Sequence, residues 1–151
     1  MSLEMQLHVV ASLLRRGRAL DNLSTGVMLL GLALGLSQLW INTVSPLLLI
    51  LVAAIVLIGL IEKYYAFRVA FDADLFQNIA NDANQLNDRT VDLDHALITL
   101  GLLPVDKQTR SWAVRSQGAL KLLRQQVLFL ALELVLVLGA ILIFPWLPFV
   151  H

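Results

Sequence analysis

Three stretches of this chain are long enough to cross a lipid bilayer and carry almost no charge. The first, Leu23 to Ile41, is LSTGVMLLGLALGLSQLWI and contains no ionisable side chain. Nineteen helical residues at a rise of about 1.5 Å reach about 28 Å, close to the thickness of the hydrocarbon layer. The second runs from Pro46 to Ile61, extended at its start by Val44 and Ser45. The third runs from about Val127 to Leu147 and contains a single carboxylate, Glu133. Backbone polar groups in lipid must be satisfied within the chain, and apolar segments of this length do so as helices. The fold class is therefore all-α, with three transmembrane helices.

Composition agrees. Hydrophobic residues make up 58% of the 151 and charged residues only 15%, against about 25% charged in an ordinary soluble domain. Eleven Lys plus Arg balance eleven Asp plus Glu, which lacks the basic excess of a nucleic-acid binder. There is no cysteine, so a disulfide framework and a thiolate metal site are both excluded.

All eleven basic residues fall on one side of the spans. Arg15, Arg16 and Arg18 precede the first, Lys63 and Arg68 follow the second, and Lys121 and Arg124 precede the third. The positive-inside bias assigns that side to the cytoplasm. The reading is a multi-pass protein of the bacterial inner membrane, with its N-terminus cytoplasmic and its C-terminus periplasmic. Trp40 and Trp146 then mark the outer interface, and Tyr64 and Tyr65 the inner one. The first run is too long for the apolar core of a cleaved signal and reads as an uncleaved anchor.

Four regions follow. Residues 1–21 form an amphipathic cytoplasmic helix, with Leu3, Leu7, Val10 and Leu14 at helical spacing and a break possible at Gly17. Residues 22–61 form a transmembrane hairpin, in which Ser45 suits an N-cap and Pro46 the first helical position. Residues 62–126 are a cytoplasmic helical region, and 127–151 the third span with a short tail. In the third region span two is expected to continue as one helix to about Leu86. Tyr65, Val69, Phe76, Ile79, Ala83 and Leu86 share its apolar face, with Arg68 and Asp72 four residues apart and placed to pair. Asp92 is expected to cap a short helix with a stripe of Leu93, Ala96, Leu97 and Leu100, ended by Gly101 and Pro104. Asp106 is expected to cap a last helix running into span three. Its basic face suits anionic lipid, but a packed antiparallel pair with residues 62–86 is preferred.

Glu133 is the most informative single residue. A charge at mid-bilayer costs about 2.5–3.5 kcal/mol on insertion scales, but Glu133 lies about seven residues, or roughly 10 Å, beyond Gln126. It is expected either to reach a neighbouring helix or the inner headgroups, or to bind a partner or handle a proton. Ser24 and Thr25 match it best in depth, Gln38 lies near the outer end, and no second intramembrane carboxylate is expected beside it. Gly31 and Gly35 form a small-x-x-x-small pair, read as packing against Ala53, Ala54 or Gly59, with self-association or a partner subunit as the alternative. Asp88, Asp92 and His95 are spaced i, i+4, i+7, but capping by Asp92 is the simpler role, so no metal site is assigned. No catalytic constellation or cofactor motif is evident, and no histidine lies within a span to ligate a haem.

The function expected on these grounds is a non-catalytic accessory or scaffold subunit, in contact with membrane lipid and docked to a larger membrane assembly. A homo-oligomeric channel or transporter using Glu133 is one alternative, and a small regulatory or toxin-neutralising membrane protein another.

Overall fold

The computed structural model describes residues 3–41, 45–81, 91, 95–96, 98–101 and 111–143. The chain is all-α, with helices α1 (Leu3–Arg15), α2 (Gly17–Ile41), α3 (Pro46–Asn81) and α4 (Trp112–Ile143). Three of them carry segments long and apolar enough to span a membrane, consistent with a three-span transmembrane bundle.

The packing follows a heptad rule. Along α3 the buried seam positions are Leu48, Ile55, Gly59, Glu62, Ala66, Val69, Ala73, Phe76 and Ala80, with half-buried Val52 completing the alternation of threes and fours and buried Ile79 lying beside the seam. Along α4 they are Ala119, Gln126, Leu130, Glu133, Val137 and Ala140. A seam with this 3.5-residue average keeps facing the same neighbour as helices wind left-handedly about one another. Each seam therefore passes from inside the expected spans to outside them without a break, and α3 and α4 remain paired well beyond Ile61.

Outside the spans the pair is completed by α1. Leu7, Val10, Ala11 and Leu14 are buried against Val69, Ala73, Phe76, Ile79 and Ala80 of α3 and Ala119 of α4. Phe76 meets Trp112 edge-on with ring centroids 5.6 Å apart, and Tyr65 stacks on Phe129 at 5.3 Å. The N-terminal helix thus covers the helix pair instead of lying apart from it. It ends at Arg15, and residues 17–21, grouped above with that helix, are the first turns of α2. Gly17, the first residue of α2, lies close against α3: a methyl built there would lie 2.8 Å from Val69 Cγ1.

At the opposite end α2 and α3 form the hairpin. Gly31 and Gly35 face Ile55 and Val52, where added methyls would lie 2.9 and 3.1 Å from the isoleucine and valine branches respectively. Gln38 is buried at the turn, and its Oε1 accepts a 2.6 Å bond from the Ser45 amide. That amide precedes a proline and belongs to the helix start, where backbone donors have no intrahelical acceptor. The Ser45 carbonyl receives the first helical bond, from Leu49 at 3.1 Å.

In the segment between α3 and α4, Gly101 has φ +69°, a left-handed conformation suited to glycine at a helix end. Leu100, assigned to the apolar stripe of a short helix, is exposed. The continuation of α3 to Leu86, the caps at Asp92 and Asp106, and the aromatic and proline tail after Ile143 lie outside the described residues.

Candidate functional site

Heptad packing turns four polar side chains, Ser24, Glu62, Gln126 and Glu133, into the bundle interior toward its basic end. Gln126 of α4 is fully buried, and its Nε2 donates to the Gly17 carbonyl of α2 at 2.9 Å and to Glu62 Oε1 of α3 at 2.8 Å. Two turns deeper, Ser24 Oγ of α2 donates to Glu133 Oε2 of α4 at 2.7 Å. Both α2–α4 contacts join residues 109 apart in sequence. Equal offsets mean that α2 and α4 run parallel and in register, tied by two polar rungs one heptad apart.

Glu133 reaches Ser24 because helical side chains tilt toward the helix N-terminus. For α4 that direction is the basic end, so the carboxylate sits closer to the bundle mouth than its Cα. Thr25, matched to Glu133 by depth, points elsewhere. Its hydroxyl donates to the Asp21 carbonyl at 2.8 Å and accepts from Lys63 Nζ at 2.5 Å. Lys63 also donates to the Asp21 carbonyl and carboxylate, at 2.9 and 2.5 Å. Its three ammonium donors are thereby used, with Glu62 Oε2 a further 3.9 Å away.

Glu133 is consequently not the single acid of the bundle, as the sequence suggested. Glu62 of α3 is equally buried. The signal that would have found Glu62 and Gln126 is the heptad itself. Counting by threes and fours from Leu48 places Glu62 on the inner seam, and counting back from Glu133 places Gln126 there. Considered only as residues flanking the apolar runs, they look like boundary polarity.

Two glycines make room for the polar groups. A methyl at Gly17 would lie 3.0 Å from Gln126 Oε1, and one at Gly59 would lie 3.1 Å from Glu133 Oε1 and from Met28 Sδ. These two oxygens, with Glu62 Oε2, are buried without a hydrogen-bond partner. Oxygen donors suit hard cations, but this set does not converge on one ion. Gly17 is level with Val69, whereas Gly59 lies ten residues away along α3, about 15 Å. Among the described residues no group of three or more His, Asp or Glu is placed to share a metal. Asp88 and Asp92 lie outside the described residues, and His95 is exposed.

Arg68 and Asp72 do not form a direct pair. The Arg68 guanidinium folds back over the Tyr64 ring, 5.7 Å from its centroid, and acts on Asp72 only through its field. The ion pairs among the described residues are Arg18–Asp74, Lys63–Asp21 and Lys63–Glu62. Gly31 and Gly35 are occupied by the hairpin partner, through Ile55 and Val52 rather than through Ala53, Ala54 or Gly59.

Chemically, the ladder sets the relative positions of three helices. A hydroxyl beside a carboxylate, as at Ser24 and Glu133, resembles a nucleophile with its base, but both groups are closed off in the bundle interior. Compared with protein-family models, curated proteins and solved structures, the chain matches none.

Proposed function

We propose that this protein is a non-catalytic accessory or scaffold subunit of a bacterial inner membrane, docked through its helices to a larger membrane assembly. Its N-terminus and the α1–α3–α4 bundle lie in the cytoplasm, and its C-terminus in the periplasm. The observation that carries the reading is that the ionisable groups at membrane depth face inward and are used in joining α2, α3 and α4. Glu62 and Glu133 have no exposed surface. A pore formed between copies of the chain would have to be lined by outward faces, and those are apolar: Leu29, Leu36, Leu57, Val135, Leu138 and Leu142 are exposed. This weighs against a homo-oligomeric channel built around Glu133.

Gentle solubilisation followed by native mass measurement tests the proposal. It expects a stable complex with a different, larger membrane protein. A pure homo-oligomer whose ion conductance disappears in Glu133→Gln would refute it in favour of the channel. Orientation is tested separately: a reporter fused after His151 should be periplasmic, and a cytosolic one would overturn the topology.

A further inference from the structure

The groove between α2 and α4, on the side turned away from α3, carries two arginines that the bundle does not use. Arg18 pairs with Asp74, which turns that flank of α2 toward α3. Arg16 comes two residues earlier, and its carbonyl accepts from the Leu20 amide, so it sits on the first turn of α2. Two residues are about 200° of helical rotation, so the exposed Arg16 side chain projects on the flank beside α4. On α4, Phe129 stacks on Tyr65 and marks the α3 flank, whereas Leu123 lies 3.5 Å from a methyl built at Gly17 and marks the α2 flank. Arg124 follows Leu123, is exposed, and stands about 140° round the helix from Phe129. The register of the two polar rungs places Arg16 level with Gln125, one residue from Arg124. The two guanidinium groups therefore rim one groove, from opposite helices, at one depth.

Among the described residues neither arginine takes part in an ion pair. The carboxylates nearby are engaged elsewhere. Asp21 and Asp74 are held on the α3 side by Lys63 and Arg18, Asp72 stands on α3 in the field of Arg68, and Glu62 and Glu133 are closed in the interior. Just beyond the arginines the surface turns to hydrocarbon. Leu23 of α2 and Val127 and Leu128 of α4 are exposed, and Leu20 and Leu123 are half-buried. From Leu23 to Ile41 and from Val127 to Ile143 the one ionisable side chain is buried Glu133. This step from cation to hydrocarbon, made by both helices at one depth, marks the headgroup zone of the bilayer, where lipid phosphates are the abundant anions.

We propose that Arg16 and Arg124 form a binding site for the headgroup phosphate of one anionic phospholipid, whose acyl chains run along the α2–α4 groove past Leu23 and Val127. Guanidinium groups present paired donors that match phosphate oxygens. A zwitterionic lipid would also bring an ammonium group, for which the groove offers no carboxylate, so the site selects a net negative headgroup. The inference needs only the three-span arrangement and stands apart from the scaffold role.

The test reconstitutes the full chain in phosphatidylcholine bilayers and compares the motionally restricted fraction of spin-labelled phosphatidylglycerol with that of spin-labelled phosphatidylcholine. The unaltered chain should hold phosphatidylglycerol preferentially. Arg16→Gln and Arg124→Gln should each lower that preference roughly tenfold, the loss of one charge-assisted contact to phosphate, with the helical circular dichroism unchanged, since both side chains are exposed. Arg68→Gln is the control. It removes an exposed cation at the same depth, next to the Val69 that meets Gly17, but on the far side of the bundle, and should leave the preference within about twofold. An unaltered chain that holds both lipids equally would overturn the proposal. So would an equal loss in Arg68→Gln, which would mean diffuse attraction to the surface, or displacement of the labelled lipid by inorganic phosphate, which would mean a site for the free anion.

Discussion

Replacing Gly17 with alanine should destabilise the bundle, although alanine is the better helix former. Removing a glycine from a helix interior gains about 0.5–1 kcal/mol, and less in the first turn, where Gly17 lies. Against this, the new methyl would sit 2.8 Å from Val69 Cγ1 and 3.0 Å from Gln126 Oε1. Val69 is β-branched, almost fully buried and held on the inner seam, so it has no free rotamer to move into. Overpacking of this kind costs about 1–3 kcal/mol. Displacing Gln126 also endangers its bonds to the Gly17 carbonyl and to Glu62, each contributing about 0.5–1.5 kcal/mol. The expected net loss is about 1–3 kcal/mol, readable as a lower denaturation midpoint of the helical signal in detergent micelles. Gly118 serves as the internal control, because nothing lies within 4 Å of a methyl added there. Gly118→Ala should be neutral or stabilising by up to about 1 kcal/mol. If Gly17→Ala matched or exceeded the natural chain while Gly118→Ala behaved as expected, the close approach at Gly17 would not exist, and the upper rung with it.

Introducing isoleucine at both Gly31 and Gly35 should separate α2 from α3 by crowding Ile55 and Val52. The expected outcome is a lower unfolding midpoint with unchanged assembly mass, whereas a changed mass at constant midpoint would make the pair an intermolecular contact. Gln38→Leu should strip the Ser45 amide of its acceptor at a cost of about 1–3 kcal/mol. Amide exchange at Ser45 should then quicken without any change in the α1–α3–α4 core, and unaltered exchange would dismiss the capping role.

Chain-wide features were legible because they rest on quantities that local sequence carries. Charge-free length identifies the three helices, and the small-x-x-x-small spacing of Gly31 and Gly35 correctly suggests close approach. What it could not name was the facing residue, since Ile55 and Val52 are chosen by the antiparallel register of the hairpin. Ser24 matched Glu133 by depth alone, but depth could not separate it from its neighbour Thr25; the 100° between successive helical residues turns one hydroxyl to α4 and the other to Lys63. Glu62 was missed because it immediately follows an apolar run, where polarity has an ordinary explanation at the membrane surface. Its inward orientation emerges only when the seam is counted through the boundary, from Leu48 to Ala80. Arg68 and Asp72 illustrate the opposite failure. Four-residue spacing permits a pair, yet Tyr64, four residues the other way, offers the guanidinium an aromatic face.

The most direct test is a double-mutant cycle on Ser24→Ala and Glu133→Leu, with unfolding free energies measured in lipid or bicelles. Hydrogen bonds between membrane helices average about 0.6 kcal/mol and reach about 1.7 kcal/mol in such cycles. The buried 2.7 Å bond should give a coupling toward the upper part of that range, with each single variant destabilising. Additivity within about 0.3 kcal/mol would mean that Glu133 is answered by something other than Ser24, and would contradict the polar ladder as the device that holds α2 and α4 in register.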